Sequence, residues 1–255
     1  CIRDRIRPLR DHLVRRQRRN GRLEVIAVPQ GGGEEVQVAF DEAAYLVTLE
    51  PHQAYDTTIL RLSWQSPRTP PRWIDCDLAS GRQTLVKARQ VGAGYSADAY
   101  EVRSLFAPAP DGEQVPVTVL MRKGAALDGS SPLLLYAYGA YGVSTEAEFS
   151  IPAVALVEQG FIYAIAHVRG GSEKGRQWFL DGRRLQKANT FTDFIACAEH
   201  LIDQGYSKPK RVVAYGLSAG GLLMGAVANM RPDLWGGVIA QVPFVDMLNT
   251  MSDAD

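Results

Sequence analysis

Short segments in which apolar and polar residues alternate fill the first third of the chain. Residues 58–64 alternate regularly, which is typical of a strand with one buried face. Five more segments, bounded mainly by glycine, proline or polar residues, predict strands at 23–28, 36–40, 44–49, 73–78 and 83–87. Short strands at this spacing predict a sandwich, a barrel or propeller blades, and this segment is too short for a whole propeller.

Continuous apolar runs replace this alternation beyond about residue 100. Residues 133–137 and 161–166 form such runs, which are typical of strands buried on both faces. Further strands are predicted at 212–215 and 238–242. Residues 115–121 predict another strand, and Pro116 places it at a sheet edge, because proline cannot donate to a strand ladder.

Helices are predicted between these strands, at 151–159, 190–204 and 222–230. In the second helix, Thr190 with Asp193 predicts a capping box at the start, and Gly205 predicts the end. Strands that alternate with helices predict βαβ units and a mainly parallel sheet. The predicted fold class is therefore α/β over residues 93–255, preceded by a β-rich part over residues 1–92.

Charge and cysteine content exclude several classes of protein. The chain has 28 basic and 28 acidic residues, so its net charge gives no reason to expect nucleic acid or an anionic membrane as partner. The basic run at 15–19 is predicted to be a solvated turn rather than a nucleic-acid site, because no aromatic residue is interleaved with it.

Three cysteines, far apart in the chain, predict neither a disulfide framework nor a zinc site. They favour a reducing, cytoplasmic compartment. No apolar run reaches the roughly 20 residues of a membrane span. The first residue is Cys1 rather than Met, and the chain stops within a pattern of strands and helices, so we expect a fragment.

One motif carries the chemistry. The apolar run 212–215 is followed by Gly-Leu-Ser-Ala-Gly-Gly at 216–221 and then by a helix, which is the strand–turn–helix setting of a nucleophilic serine in an α/β-hydrolase. In this setting Ser218 occupies a strained turn, and small residues flank it because neighbouring backbone passes close by. The amide of Ala219, at a helix N-terminus, can donate to a developing oxyanion. The alternative is a chance pattern in a glycine-rich turn.

A nucleophilic serine needs a histidine base and an acid, which follow it in this fold in the order Ser, Asp or Glu, His. All four histidines precede Ser218, at positions 12, 52, 167 and 200. His200 is predicted to be an ordinary surface residue of its helix. We therefore expect the base to lie outside these 255 residues, and the chain on its own to be inactive or nearly so.

The segment from about 115 to 255 resembles the prolyl oligopeptidase family, and most of all its oligopeptidase B (protease II) branch. The residues that carry this resemblance are Leu-Tyr-Ala-Tyr-Gly-Ala-Tyr-Gly at 135–142, His-Val-Arg-Gly-Gly at 167–171, the serine motif at 216–224, and the stretches 229–235 and 242–246. The resemblance implies the last blade or blades of a β-propeller over 1–92, followed by part of an α/β-hydrolase domain over 93–255.

The resemblance also assigns roles to residues. It implies Ser218 as the nucleophile and the amide of Ala219 as one oxyanion donor. The hydroxyl of Tyr138 would be the second donor, and a phenol in a dry site donates strongly. Packing beside the sheet is the alternative for Tyr138. Arg169, with the two glycines after it, is expected to be mainly structural.

An acidic pair is expected after the Tyr-Gly segment in the oligopeptidase B branch, and Glu146 and Glu148 stand there. Carboxylates two positions apart on an extended segment face the same side and can hold a lysine or arginine side chain of the substrate. An ordinary solvated pair is the equal alternative. Two departures bear on specificity: the branch commonly has arginine where Leu217 stands, and aspartates where the two glutamates stand.

These features predict a serine-type oligopeptidase that cleaves short peptides after Arg or Lys through an acyl-enzyme, without metal or cofactor. Two alternatives stay open. One is another α/β-hydrolase chemistry, such as that of an esterase or of a prolyl- or aminoacyl-peptidase. The other is a non-catalytic binding protein that keeps the fold.

Overall fold

Two antiparallel sheets of four strands each form the N-terminal part of the chain. The computed structural model describes residues 2–51 and 54–252. The first sheet contains β1 (Ile2–Pro8), β2 (His12–Arg19), β3 (Arg22–Pro29) and β4 (Val36–Val38), in that order. The second contains β5 (Leu46–Leu49), β6 (Ile59–Ser66), β7 (Thr69–Asp77) and β8 (Gln83–Ala88), also in order. Four-stranded meanders of this kind are the unit of a propeller blade.

All six strands predicted in this part are confirmed as β3 to β8, whereas β1 and β2 were not predicted. The solvated turn predicted for the basic run is wrong, because that run lies in β2. Gln17 is 2% exposed and Arg18 is 7% exposed. Their polar groups are paired: Gln17 Nε2 donates to Glu24 Oε2 at 2.8 Å, and Arg18 Nη1 donates to the carbonyl of Gly21 at 3.0 Å. Pairing removes most of the cost of burying a polar group.

A six-stranded mixed sheet follows. Its strands are β9 (Tyr100–Pro108), β10 (Gln114–Arg122), β11 (Leu133–Tyr136), β12 (Ile162–Ala166), β13 (Val212–Leu217) and β14 (Trp235–Gln241). Their order in the sheet is β14-β13-β11-β12-β10-β9. The four strands from β14 to β12 are parallel, and β10 is antiparallel to both of its neighbours. The predicted boundary near residue 92 falls between β8 and β9.

Five helices accompany this sheet within the described residues: α1 (Ile151–Glu158), α2 (Arg176–Leu180), α3 (Ala188–Asp203), α4 (Ala219–Met230) and α5 (Met247–Ser252). The fold class is confirmed as blade-like sheets followed by an α/β-hydrolase type of sheet. The core includes Phe194 and Leu201 of α3, packed with Leu133 and Leu135 of β11. Each such side chain contributes roughly 1.5–3 kcal/mol when buried.

The edge position predicted for Pro116 is wrong. Strand β10 lies inside the sheet, because β9, which was not predicted, covers its other side. The ladder between β10 and β12 begins at Val117, so the missing N–H of Pro116 removes no rung from it. The carbonyl of Pro116 instead accepts from the amide of His167 at 3.0 Å.

The capping box predicted at Thr190 and Asp193 is wrong as well. Helix α3 begins two residues before Thr190, and both side chains are fully buried. Asp193 accepts from the backbone amide of Arg169 at 2.9 Å and from its guanidinium at 2.5 Å, while Thr190 Oγ1 donates to the carbonyl of Arg169 at 2.8 Å. Arg169 therefore fastens the end of β12 to α3, which agrees with the structural role expected for it.

Two cysteines, Cys76 and Cys197, have buried free thiols, and Cys1 lies outside the described residues. Burial raises the pKa of the Cys197 thiol well above its usual range. Among residues 2–51 and 54–252, no helix combines the length and the apolar character needed to cross a membrane.

Candidate active site

Ser218 stands on the sharp turn between β13 and α4. Its backbone has φ 56° and ψ −114°, a conformation that a residue with a Cβ rarely adopts. The side chain is exposed to solvent. Strain of this kind persists only where surrounding structure enforces it, and it is concentrated at functional sites. The strained turn predicted from the sequence motif is confirmed.

Close backbone contacts explain the small residues around the serine. A Cβ at Gly220 would lie 2.7 Å from the carbonyl oxygen of Ala137, and a Cβ at Gly221 would lie 2.5 Å from Cα of Pro243. A Cβ at Gly216 would collide with the carbonyl of Gly220. Because real Cβ atoms almost never come within 3.0 Å of another heavy atom, larger residues would push the turn apart.

Backbone hydrogen bonds hold the turn against the end of β14. The amide of Ser218 donates to the carbonyl of Gln241 at 2.9 Å. The carbonyl of Ser218 accepts from the amide of Gly221 at 2.8 Å and from that of Phe244 at 3.0 Å. The serine is thus fixed by its neighbours on the sheet before any substrate binds.

Two hydrogen-bond donors lie close to this turn. Ala219 is buried and is the first residue of α4, so its amide is among those that have no partner within the helix. Tyr138 follows β11, and its Cα would lie 3.4 Å from a Cβ at Gly220. Burial raises the pKa of the Tyr138 phenol, so it stays protonated and able to donate at neutral pH.

Lys187 supports the segment that contains Tyr138. Its Nζ donates to the carbonyl of Gly139 at 2.5 Å. Burial lowers the pKa of this lysine to about 8, and no carboxylate of the described part of the chain is paired with it. Neither the basic run nor any motif in the sequence indicated this contact, because the two residues are 48 positions apart.

Two open cavities flank Ser218. The first, the acidic cavity, has a volume of about 410 Å³ and is lined by Glu146, Glu148 and Leu217, together with Tyr136, Tyr138, Val143, Ser144, Thr145, Ser150, Tyr163 and Ile165. The second, the aromatic cavity, measures about 470 Å³, and its lining includes Tyr141, Phe179, Lys187, Ala219 and Phe244. Since Leu217 lines one and Ala219 lines the other, Ser218 stands between them.

The two glutamates of the acidic cavity have different surroundings. Glu146 Oε1 accepts from Arg18 Nη2 at 2.6 Å, and the glutamate side chain is 27% exposed. Glu148 is exposed and has no hydrogen-bond or ion-pair partner in the part of the chain that the structure describes. The structure therefore brings both residues to one cavity with Tyr138, where Glu146 is already paired with Arg18 and Glu148 is not. Arg18 was missed from the sequence, because it is 128 positions from Glu146.

No histidine among the described residues is hydrogen-bonded to Ser218. His167 is buried, and its Nε2 lies 2.8 Å from Thr118 Oγ1. Its Nδ1 faces Glu173, whose Oε1 is 3.9 Å away. His200 is partly exposed on α3, and His52 lies outside the described residues. The described residues therefore place an exposed serine beside two candidate hydrogen-bond donors, with no histidine in contact with the serine.

Comparison with protein-family models and solved structures agrees with this geometry. The model of the prolyl oligopeptidase family matches residues 147–255. Oligopeptidase B from Trypanosoma brucei, in a closed form with covalently bound antipain, superimposes with a TM-score of 0.86 and 43% identity. That match covers 98% of this chain and 36% of the trypanosomal one. Oligopeptidase B from Leishmania major gives a TM-score of 0.87 at 39% identity, over 98% and 36% of the two chains.

Curated relatives give the same result. Dipeptidyl aminopeptidase BI from Pseudoxanthomonas mexicana is 44% identical over 232 residues, which cover 91% of this chain and 32% of the relative. Protease 2 from Moraxella lacunata is 40% identical over 246 residues, or 96% and 35% of the two chains. The chain therefore spans about a third of the length of the curated relatives it matches. Blade-like sheets, a strained serine between β13 and α4, and these matches together show that the chain belongs to the prolyl oligopeptidase family.

Proposed function

We propose that the intact protein carrying this chain is a serine-type oligopeptidase that cleaves short peptides after Arg or Lys. The observation that carries the proposal is Ser218, exposed and strained between two cavities, with the Ala219 amide and the Tyr138 phenol beside it. Relatives named as oligopeptidase B and protease 2 support the reaction class.

The reaction begins when Ser218 Oγ attacks the carbonyl carbon of the scissile bond. Its proton passes to a general base, and the carbonyl oxygen becomes an oxyanion that the Ala219 amide and Tyr138 hydroxyl stabilise. Collapse of this intermediate breaks the C–N bond and leaves an ester on Ser218, while the amine leaves with a proton. Water then hydrolyses the ester by the same steps in reverse order. Because no described histidine contacts Ser218, we expect the 255-residue chain alone to be inactive.

The preference for basic residues rests on the acidic cavity. Within residues 2–51 and 54–252 the exposed carboxylate of Glu148 has no hydrogen-bond or ion-pair partner, and a charge-assisted bond from a guanidinium is about twice as strong as a neutral one. The same carboxylate fits the α-ammonium at the start of a peptide. Since one relative is named a dipeptidyl aminopeptidase, release of dipeptides from free N-termini is the second candidate function.

The decisive measurement is kcat/KM of the intact protein on matched peptides with Arg or Pro before the cleaved bond. Ser218→Ala serves as the control, and a fluorophosphonate probe tests for covalent labelling of the serine. A preference for Arg that disappears with the serine supports the proposal. Cleavage after Pro, or of simple esters only, moves the protein to another branch, and absence of labelling supports a binding protein. Acetylating the peptide N-terminus abolishes cleavage only if the second candidate is right.

A further inference from the structure

The acidic cavity is bordered by a buried arginine from the N-terminal part of the chain. Arg18 lies on β2, and its side chain is 8% exposed. It also lines a small enclosed cavity of about 30 Å³ with Thr118, Glu146 and His167. Glu146 lines both cavities, so it stands at the boundary between the enclosed space and the open acidic cavity.

The guanidinium of Arg18 is fixed before substrate arrives. One nitrogen donates to the carbonyl of Gly21 at 3.0 Å, and another donates to Glu146 at 2.6 Å. The neighbouring Gln17 is held by Glu24 on the adjacent strand, which braces this part of β2 within its own sheet. A buried cation held in this way keeps its partner carboxylate, because losing the partner leaves an uncompensated charge.

The ion pair of Arg18 with Glu146 is therefore close to neutral, whereas Glu148 presents a full negative charge to a ligand. A basic substrate side chain can reach Glu146 only by sharing it with Arg18 or displacing Arg18. Glu148, in contrast, is exposed and has no partner within the described residues.

We propose that Arg18 is a specificity-determining residue, which neutralises Glu146 and leaves Glu148 as the carboxylate that recognises a basic side chain. This inference rests on the proposed peptidase function. It predicts that the preference for a basic residue is weaker than two free carboxylates would give, and that it is set by a residue outside the α/β domain.

The test uses the intact protein and peptides that carry either arginine or its uncharged isostere citrulline at each of the first three positions before the cleaved bond. The measured quantity is the ratio of kcat/KM for arginine over citrulline at the most sensitive position. Glu148→Gln is expected to bring this ratio close to 1, and the paired variant Arg18→Gln/Glu146→Gln, which removes both charges of the ion pair together, to change it less than about threefold. Arg18→Gln is expected to raise the ratio about tenfold, because this substitution frees Glu146 to bind the substrate guanidinium. One charge-assisted hydrogen bond contributes about a factor of ten.

Two control variants accompany these. Arg18→Lys keeps the charge, so it is expected to keep the ratio of the parent. Arg68→Gln removes another cation of the N-terminal part, paired with Glu42 at 2.6 Å, and is expected to leave the ratio unchanged. Fluorophosphonate labelling of Ser218 shows that each variant is folded at the active site. If Arg18→Gln does not fold, the comparison of Glu148→Gln with the paired variant still decides the question.

The outcomes separate this inference from the proposed function. Equal losses in the paired variant and in Glu148→Gln, or an unchanged ratio in a folded Arg18→Gln, overturn the role of Arg18 and leave the peptidase intact. Serine-dependent cleavage without any preference for arginine at the three positions overturns the role of Arg18 and the acidic recognition together. An intact protein that neither cleaves nor becomes labelled overturns the proposed function itself.

Discussion

Replacing Gly220 with alanine tests whether the two oxyanion donors must be held at a fixed separation. A Cβ at this position would lie 2.7 Å from the carbonyl oxygen of Ala137, whereas ordinary contact begins near 3.4 Å. Helix α4 or the Tyr138 segment must therefore move by about 0.7 Å, and neighbouring backbone limits how that movement is shared. Since Ala219 directly precedes Gly220 and Tyr138 directly follows Ala137, the movement separates the Ala219 amide from the Tyr138 hydroxyl.

The size of the effect follows from this displacement. A misplacement of about 1 Å costs on the order of 10²-fold in rate, so a shift of about 0.7 Å is expected to lower kcat/KM roughly ten- to thirtyfold. This corresponds to about 1.4–2 kcal/mol of lost transition-state stabilisation. The loss is expected mainly in kcat, because the donors act on charge that exists only in the transition state.

A second glycine of the same helix supplies the control. A Cβ at Gly225 would lie 3.9 Å from Val245 Cγ1, which is ordinary contact. Alanine is roughly 1 kcal/mol better than glycine inside a helix, so Gly225→Ala is expected to raise the melting temperature and to keep kcat/KM within about twofold. A Gly220→Ala enzyme as active as the parent, or an equal loss in Gly225→Ala, would refute the reasoning.

Three further predictions concern the supports of the site. Tyr138→Phe is expected to lower kcat about 10²–10³-fold with little change in KM, as loss of an oxyanion donor does; a change confined to KM would argue for packing instead. Asp193→Ala leaves the buried guanidinium of Arg169 without its main partner, and is expected to destabilise the fold by roughly 3–5 kcal/mol in urea unfolding. Asp111→Ala removes only the half-exposed partner and is expected to cost about 0–1 kcal/mol, so equal costs would contradict this assignment. Lys187 has a folded-state pKa of about 8, below its usual value of 10.5, so the unfolded chain binds more protons between these pH values. The stability of the parent relative to Lys187→Met is therefore expected to rise with pH across that window, and melting temperatures that differ by a constant amount would contradict it.

Local patterns identified five of the six strands of the large sheet, from their short-range periodicity, and the serine turn, from its small residues. The strand at 212–217 and its turn are an example: the apolar run and the small residues are both visible within ten positions. Strand β2 could not be found in this way. Two of its three buried residues, Gln17 and Arg18, are polar, and the partner of Arg18 is Glu146, which lies far along the chain.

Two local rules failed because tertiary contacts took precedence. Proline within a strand usually marks a sheet edge, yet β9 pairs with β10 on the side away from β12. The sheet tolerates Pro116 because its missing N–H falls outside the ladder between β10 and β12. Thr190 and Asp193 have the spacing of a capping box, but both side chains serve Arg169 instead. The same limit applies to the candidate site, where Glu146 and Glu148 look equivalent in sequence and differ through one distant arginine.

Leu217 is the residue beside the serine turn whose side chain can change without disturbing the turn. It precedes the nucleophile on β13 and is half-buried, and its side chain lines the acidic cavity. The glycines of the turn are confined by backbone contacts, whereas Leu217 faces space that a substrate would fill. The glycines of the turn must therefore stay small, whereas the residue at the adjacent position 217 can vary. Under the proposed function, evolution or a laboratory library can change which peptides enter by changing residue 217 alone, while the proposed covalent step on Ser218 stays intact.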